Sequence, residues 1–138
     1  MQARQVNDRP STFVVILEPG EEAMAFARER SLSASQVTAI GAFERATLGY
    51  FDRDKRDYQP IPIERQVEVL SLIGDIVAEG DDLKLHAHVV VGQSDGSAHG
   101  GHLLEAIVWP TLEVVITETP THLRRRFDPE TGITLIVV

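Results

Sequence analysis

The amino-acid sequence predicts an α+β fold: a mainly antiparallel sheet of about seven strands with one principal helix packed on it. Three observations carry this expectation. Only the stretch from Glu21 to about Leu32 spaces its apolar residues as a helix does. Most of the remaining chain breaks into short runs rich in Val, Ile, Leu and Thr. Those runs are joined by brief turns such as Glu79-Gly80-Asp81-Asp82 and Gln93-Ser94-Asp95-Gly96, too short for the crossovers that parallel strands need.

The elements follow in order. Residues 1–11 are polar and carry no clear element, whereas residues 12–138 read as a single domain. Thr12 to Leu17 is a β-branched run, closed by Glu18-Pro19-Gly20. The helix follows, with Glu21 and Glu22 expected in its first turn and Arg28 and Arg30 near its last, as the helix dipole favours. Gln36 to Phe43 and Ala46 to Phe51 read as strands, with Gly41 and Gly49 as points of bulge or close approach. Pro60 and Pro62 confine the next segment to an edge or connector. Val67 to Val77 and Leu83 to Gly92 read as hairpin partners. Leu103 to Val108, Thr111 to Thr117 and Ile133 to Val138 complete the set, with Trp109-Pro110 interrupting two of them.

Composition narrows the function classes. The chain has 138 residues, 43% of them hydrophobic and 25% charged, enough for one core without disulfides or a structural metal. Its formal net charge of −8 disfavours nonspecific binding to nucleic acid, which rests on neutralising phosphates. Arg124-Arg125-Arg126 is the local exception and reads as a solvated loop or strand end. Cysteine is absent, which removes thiolate chemistry. The first ten residues lack a signal-peptide pattern and no apolar run is long enough for a membrane helix, so the expected location is the cytoplasm.

The residues that point to chemistry are histidines. In Leu83 to Gly92 a period of two sends Leu83, Leu85, Ala87, Val89 and Val91 to one face and Lys84, His86, His88 and Val90 to the other. Two strand rises separate the His86 and His88 Cα atoms by about 6.6 Å. Rings at that separation can converge on one ion, since a Zn–N bond is about 2.0–2.1 Å. If the Asp95-Gly96 turn closes a hairpin, His102 returns toward the same strand, and Gly100-Gly101 lets the backbone bend or approach closely. Three imidazoles with an open fourth position are the ligand set of a catalytic zinc site. The same spacing also suits an exposed histidine pair on a polar face. His99 reads as part of a solvated turn and His122 as a surface residue.

The run His86-Ala87-His88-Val89-Val90-Val91-Gly92, then Asp95-Gly96, then Gly100-Gly101-His102-Leu103-Leu104-Glu105, resembles the prokaryotic branch of the PPC (plant and prokaryote conserved) domain family. Ala39-Ile40-Gly41-Ala42 with Ala46 to Asp52, Glu68 to Gly74, and Phe127 to Gly132 extend the likeness over most of the chain from Thr12 onward. The resemblance implies a single α+β domain that assembles as a homotrimer. It also implies a metal, Zn2+ or another divalent transition metal, on His86, His88 and His102.

Three functions are then to be weighed. Family members are often described as DNA-binding, but plant relatives contact the minor groove through a separate AT-hook. This chain has no Arg-Gly-Arg-Pro hook. A lyase or hydrolase acting on a small carbonyl compound would use the metal to polarise a carbonyl or acidify a bound water. The fold and histidine layout are also similar to acetolactate decarboxylase, a likeness of fold alone. A small-molecule or metal sensor is the third. Strand alternation puts Glu105 on the face opposite His102, and Asp75 and Glu68 read as surface carboxylates or partners behind a ligand. No catalytic residue is assigned beyond the metal ligands.

Overall fold

The computed structural model of the chain describes residues 2–8, 10–119 and 124–137. Among these residues nine strands form one sheet with one short helix against it. The strands are β1 (Gln2–Asp8), β2 (Ser11–Leu17), β3 (Ala34–Asp52), β4 (Asp57–Ile63), β5 (Val67–Glu79), β6 (Asp82–Gly92), β7 (Ala98–Glu118), β8 (Arg124–Asp128) and β9 (Ile133–Val137). Every pairing is antiparallel except a single parallel bridge between Ala78 and Arg124. The α+β expectation with a mainly antiparallel sheet is therefore met.

The differences from the sequence reading have local causes. The polar stretch before Thr12 pairs along β2 as β1, a strand with no apolar alternation to announce it. The helix α1 spans only Ala23–Glu29, so Glu22 is its N-cap and no acid lies in its first turn. It ends at Arg30, because Ser31 turns to a positive φ of 54°. Trp109-Pro110 does not break the chain into two strands; β7 runs through it with a cis peptide there. Arg124 to Arg126 form β8, paired with β9 in a C-terminal hairpin.

The core lies on one face of the sheet. Val15, Val37, Ile76, Val91, Val114 and Ile116 are almost fully buried there. Helix α1 adds Phe26, whose ring meets Phe13 edge-on at 5.4 Å, and Ala27. The predicted alternation of β6 holds, with Ala87, Val89 and Val91 buried and His88 and Val90 exposed. Gly41 lies at a register shift on β3 with φ 143°, and a Cβ there would come within 2.9 Å of Leu112 Cα. Pro60 and Pro62 fall on β4, which pairs only with β3, as edge placement requires.

One topological feature positions the site. β3 pairs with β5 and β7, and β6 pairs with the same two strands. These four strands close a cycle of hydrogen-bonded neighbours. β7 pairs with β6 from Ala98 to His102 and with β3 from His102 onward, so His102 is paired with both.

Candidate metal centre

The turn from Gln93 to Ser97 closes the hairpin that the site needs. Gln93 N–H donates to Ser97 O at 2.8 Å, and Asp95 Oδ1 accepts from both the Ser97 amide and hydroxyl. The resulting register sets His88 directly opposite His102. His86 lies on the same face of β6, two residues back. The ring centroids of His86 and His88 are 5.2 Å apart, those of His86 and His102 5.1 Å, and those of His88 and His102 5.5 Å. One nitrogen from each ring lies within 4.8 Å of the other two.

That spread fits a metal ion. Tetrahedral nitrogens bound at about 2.0–2.1 Å sit about 3.3–3.4 Å apart, a gap that modest ring rotations close. The protonation state fits as well. Burial, then the neighbouring His86 and His88 and the Arg125 charge, lowers the His102 pKa to about 4. Burial and Arg125 also lower that of His86, opposed by Asp75. Both rings are thus neutral at pH 7, the form that binds metal.

Missing side chains make the crowding feasible. Gly74 faces Ala87 across β5 and β6, and a Cβ there would lie 2.9 Å from Ala87 Cα and closer still to His86 O. Gly49 faces His102 across β3 and β7, and a Cβ there would lie 2.9 Å from the Tyr58 ring. The space left by Gly49 admits that ring, which stacks on His102 at 4.5 Å with an angle of 29°. Tyr58 OH is 3.4 Å from His102 Nδ1, the long end of a hydrogen bond.

Behind His86 stands Asp75, its register partner on β5. Asp75 Oδ2 lies 3.7 Å from His86 Nδ1. Arg125 Nη2 donates to Asp75 Oδ1 at 2.6 Å, and Arg125 Nη1 donates to Thr134 O at 3.1 Å. Arg125 is therefore no solvated strand end: its side chain is 8% exposed, although Arg124 and Arg126 beside it are exposed. A cleft of about 630 Å3 opens beside the triad, bounded by Tyr58, Asp75, Lys84, His86, His102 and Arg125 and walled by the hairpin over residues 132–136.

The other candidates lie elsewhere. His99 is exposed on β7, opposite Val91, and belongs to a strand instead of a turn. Glu105 borders a different, apolar cavity near α1. Glu68 is exposed opposite Gly92, far along β5 from Asp75. His122 lies outside the described residues. Sequence reasoning missed Tyr58 and Arg125. Neither had a local signal, since one arrives from β4 and the other from a hairpin after β7.

A curved, mainly antiparallel sheet carrying three clustered imidazoles defines a β-sheet protein with a candidate metal centre. The chain belongs to the Plants and Prokaryotes Conserved domain family (PCC, also written PPC), whose family model matches residues 4–120. It is similar to a metal-containing protein from Archaeoglobus fulgidus, with 31% identity, TM-score 0.84, and coverage of 92% of this chain and 93% of that one. A plant- and prokaryote-conserved protein from Pyrococcus horikoshii matches at 28% identity and TM-score 0.83, over 90% and 89% of the two chains. A candidate DNA-binding protein from Bacteroides thetaiotaomicron matches at 26% identity and TM-score 0.90, over 99% and 96%. No protein of curated function matches the chain.

Proposed function

We propose that this PPC protein is a metal-binding protein in which His86, His88 and His102 hold one divalent ion, zinc by ligand preference, with its fourth position open to the adjacent cleft. The observation that carries the reading is the convergence of three imidazole nitrogens within 4.8 Å. Asp75 behind His86 and Tyr58 against His102 each face Nδ1, which leaves Nε2 of both rings for the ion. The description of the Archaeoglobus relative as metal-containing supports it. When bound, such an ion supplies Lewis acidity toward a carbonyl or a bound water. A lyase or hydrolase acting on a small carbonyl compound is the activity this chemistry suits.

DNA association is the weaker reading. The net charge of −8 opposes phosphate binding, and the chain lacks a minor-groove hook. Among the described residues no helix is long and apolar enough to cross a membrane.

Homotrimer formation is also proposed, and one feature favours self-association. Ile40, Leu70, Ile73 and Val115 are exposed and border one shallow depression on the sheet face away from the core. Contiguous apolar surface of this kind is normally covered by a partner.

Metal analysis of the purified chain tests the main reading. Wild type is expected to carry about one zinc per chain after supplementation, and His88→Ala to lose it while keeping its fold, since His88 is exposed. Wild type without stoichiometric metal would sink the proposal.

A further inference from the structure

We infer that the cleft beside the histidine triad is a subsite for a small organic carboxylate, held between the metal's open position and the wall carrying Arg125 and Lys84. The inference rests on the metal-centre reading above and adds the chemistry of the ligand.

Charge is the first argument. The cleft's charged side chains are Asp75 and Glu79 against Lys84 and Arg125, which cancel. A divalent ion on the triad would therefore add two uncompensated positive charges in a recess closed on one side by protein. The molecule best suited to complete that site is an anion.

Arg125 is the second. Its side chain is 8% exposed, with Nη2 on Asp75 and Nη1 on Thr134 O. Its Nε is buried and has no partner, alone in this among the described residues. An unmet donor on a buried cation is rare in a folded protein and calls for a reason in the site it borders. Arg125 sits on β8, where a purely structural arginine could have satisfied itself in solvent, as its exposed neighbours do.

The same geometry selects a carboxylate over a phosphate. Recognition of a phosphate needs several free donors converging on one point. Here Arg125 has a single unmet donor besides its bonds to Asp75 and Thr134 O, and Lys84 Nζ is 3.0 Å from Glu79 Oε2. The metal then carries most of the anion's charge, which suits a single carboxylate. Leu85, Ile133 and Leu135 line the same cleft and offer an apolar wall for a short carbon skeleton. A volume of about 630 Å3 accommodates such a molecule.

The test uses the full chain loaded with Co2+, whose visible spectrum reports a new ligand on the ion. Pyruvate, acetamide and inorganic phosphate are the probes, and metal content is measured on every sample. Pyruvate is expected to change the spectrum saturably, with acetamide at least about tenfold weaker, and to bind metal-free protein no better than acetamide does. Arg125→Gln is expected to weaken pyruvate about tenfold and Lys84→Gln about threefold, with cobalt still bound. Lys84 is 61% exposed, so Lys84→Gln decides the matter if Arg125→Gln does not fold. Chain that loads cobalt yet binds acetamide or phosphate as tightly as pyruvate overturns the carboxylate subsite alone. So does pyruvate binding that neither variant alters. Chain that cannot load cobalt overturns the metal centre and this inference with it.

Discussion

Replacing Asp75 by asparagine probes the link between the C-terminal hairpin and the proposed metal centre. Asparagine keeps the side chain's shape and one carbonyl oxygen for Arg125, but removes the charge. Arg125 is 8% exposed and its contact with Asp75 is 2.6 Å, so the lost partner belongs to a nearly buried cation. Breaking a fully buried pair costs about 3–5 kcal/mol. The Asp75 side chain is 27% exposed and asparagine still accepts a neutral hydrogen bond, which brings the expected cost to about 1–3 kcal/mol. For a chain of this size the melting temperature should fall by about 3–10 °C. Affinity for the proposed zinc should fall as well, by about tenfold, because the Asp75 charge 3.7 Å from His86 Nδ1 favours that ring's basicity. Differential scanning calorimetry of the metal-free variant and zinc competition against a chelator measure the two effects separately. A variant that melts with wild type and binds zinc within about twofold would refute the reasoning at both ends.

The remaining predictions concern protons, packing and assembly. In metal-free protein the folded-state pKa of His102 is about 4 against an unfolded value of about 6.5, so between these pH values only the unfolded state takes the proton. Stability should therefore fall on acidification from pH 6.5 to 4, by about 1–2 kcal/mol once partial solvent screening of the ring is allowed for. Urea titrations of wild type and His102→Gln isolate this contribution, and equal pH slopes would dismiss it. Gly74→Ala should cost about 1–3 kcal/mol and weaken metal binding, because the new methyl pushes β6 and its two histidines off β5; unchanged zinc affinity in a folded variant would contradict this. Ile73→Glu, on a side chain 59% exposed, should leave the monomer fold intact and dissociate the proposed trimer, as sedimentation velocity would report. A chain that sediments as a monomer before mutation would remove the assembly reading.

The fold class and the heart of the site were legible in the sequence because both depend on period and turn chemistry. Alternation along Leu83 to Gly92 assigned His86 and His88 to one face, and the Asp95-Gly96 turn returned His102 to them. Proline at residues 60 and 62 marked an edge, and Gly41 and Gly49 marked close approaches. What escaped depends on contacts between distant segments. Tyr58 and His102 meet only because β4 and β7 flank the same stretch of β3. Arg125 sits in a triple-arginine run whose charge suggests solvent, yet strand alternation turns it inward while its neighbours face out. β1 has no apolar period, because an edge strand can be held by backbone pairing alone.

The division of the site along the chain has a consequence for function. The three imidazoles, Asp75 and Tyr58 all lie within residues 4–120, the span matched by the family model. Arg125 and the hairpin wall over residues 132–136 lie beyond it. The hairpin meets the rest of the sheet through one parallel bridge, the Arg125–Asp75 contact, Arg56 Nη1 on Pro129 O at 3.4 Å and a Thr134 contact to Glu79. A closed cycle of strands thus sets the positions of the three imidazoles, while the C-terminal hairpin walls the cleft beside them. Rigid elements suit metal coordination, which tolerates little error, and a peripheral hairpin can vary without disturbing it. Ligand preference in this protein should therefore follow substitutions in the hairpin, and metal affinity should follow substitutions in β5, β6 and the start of β7.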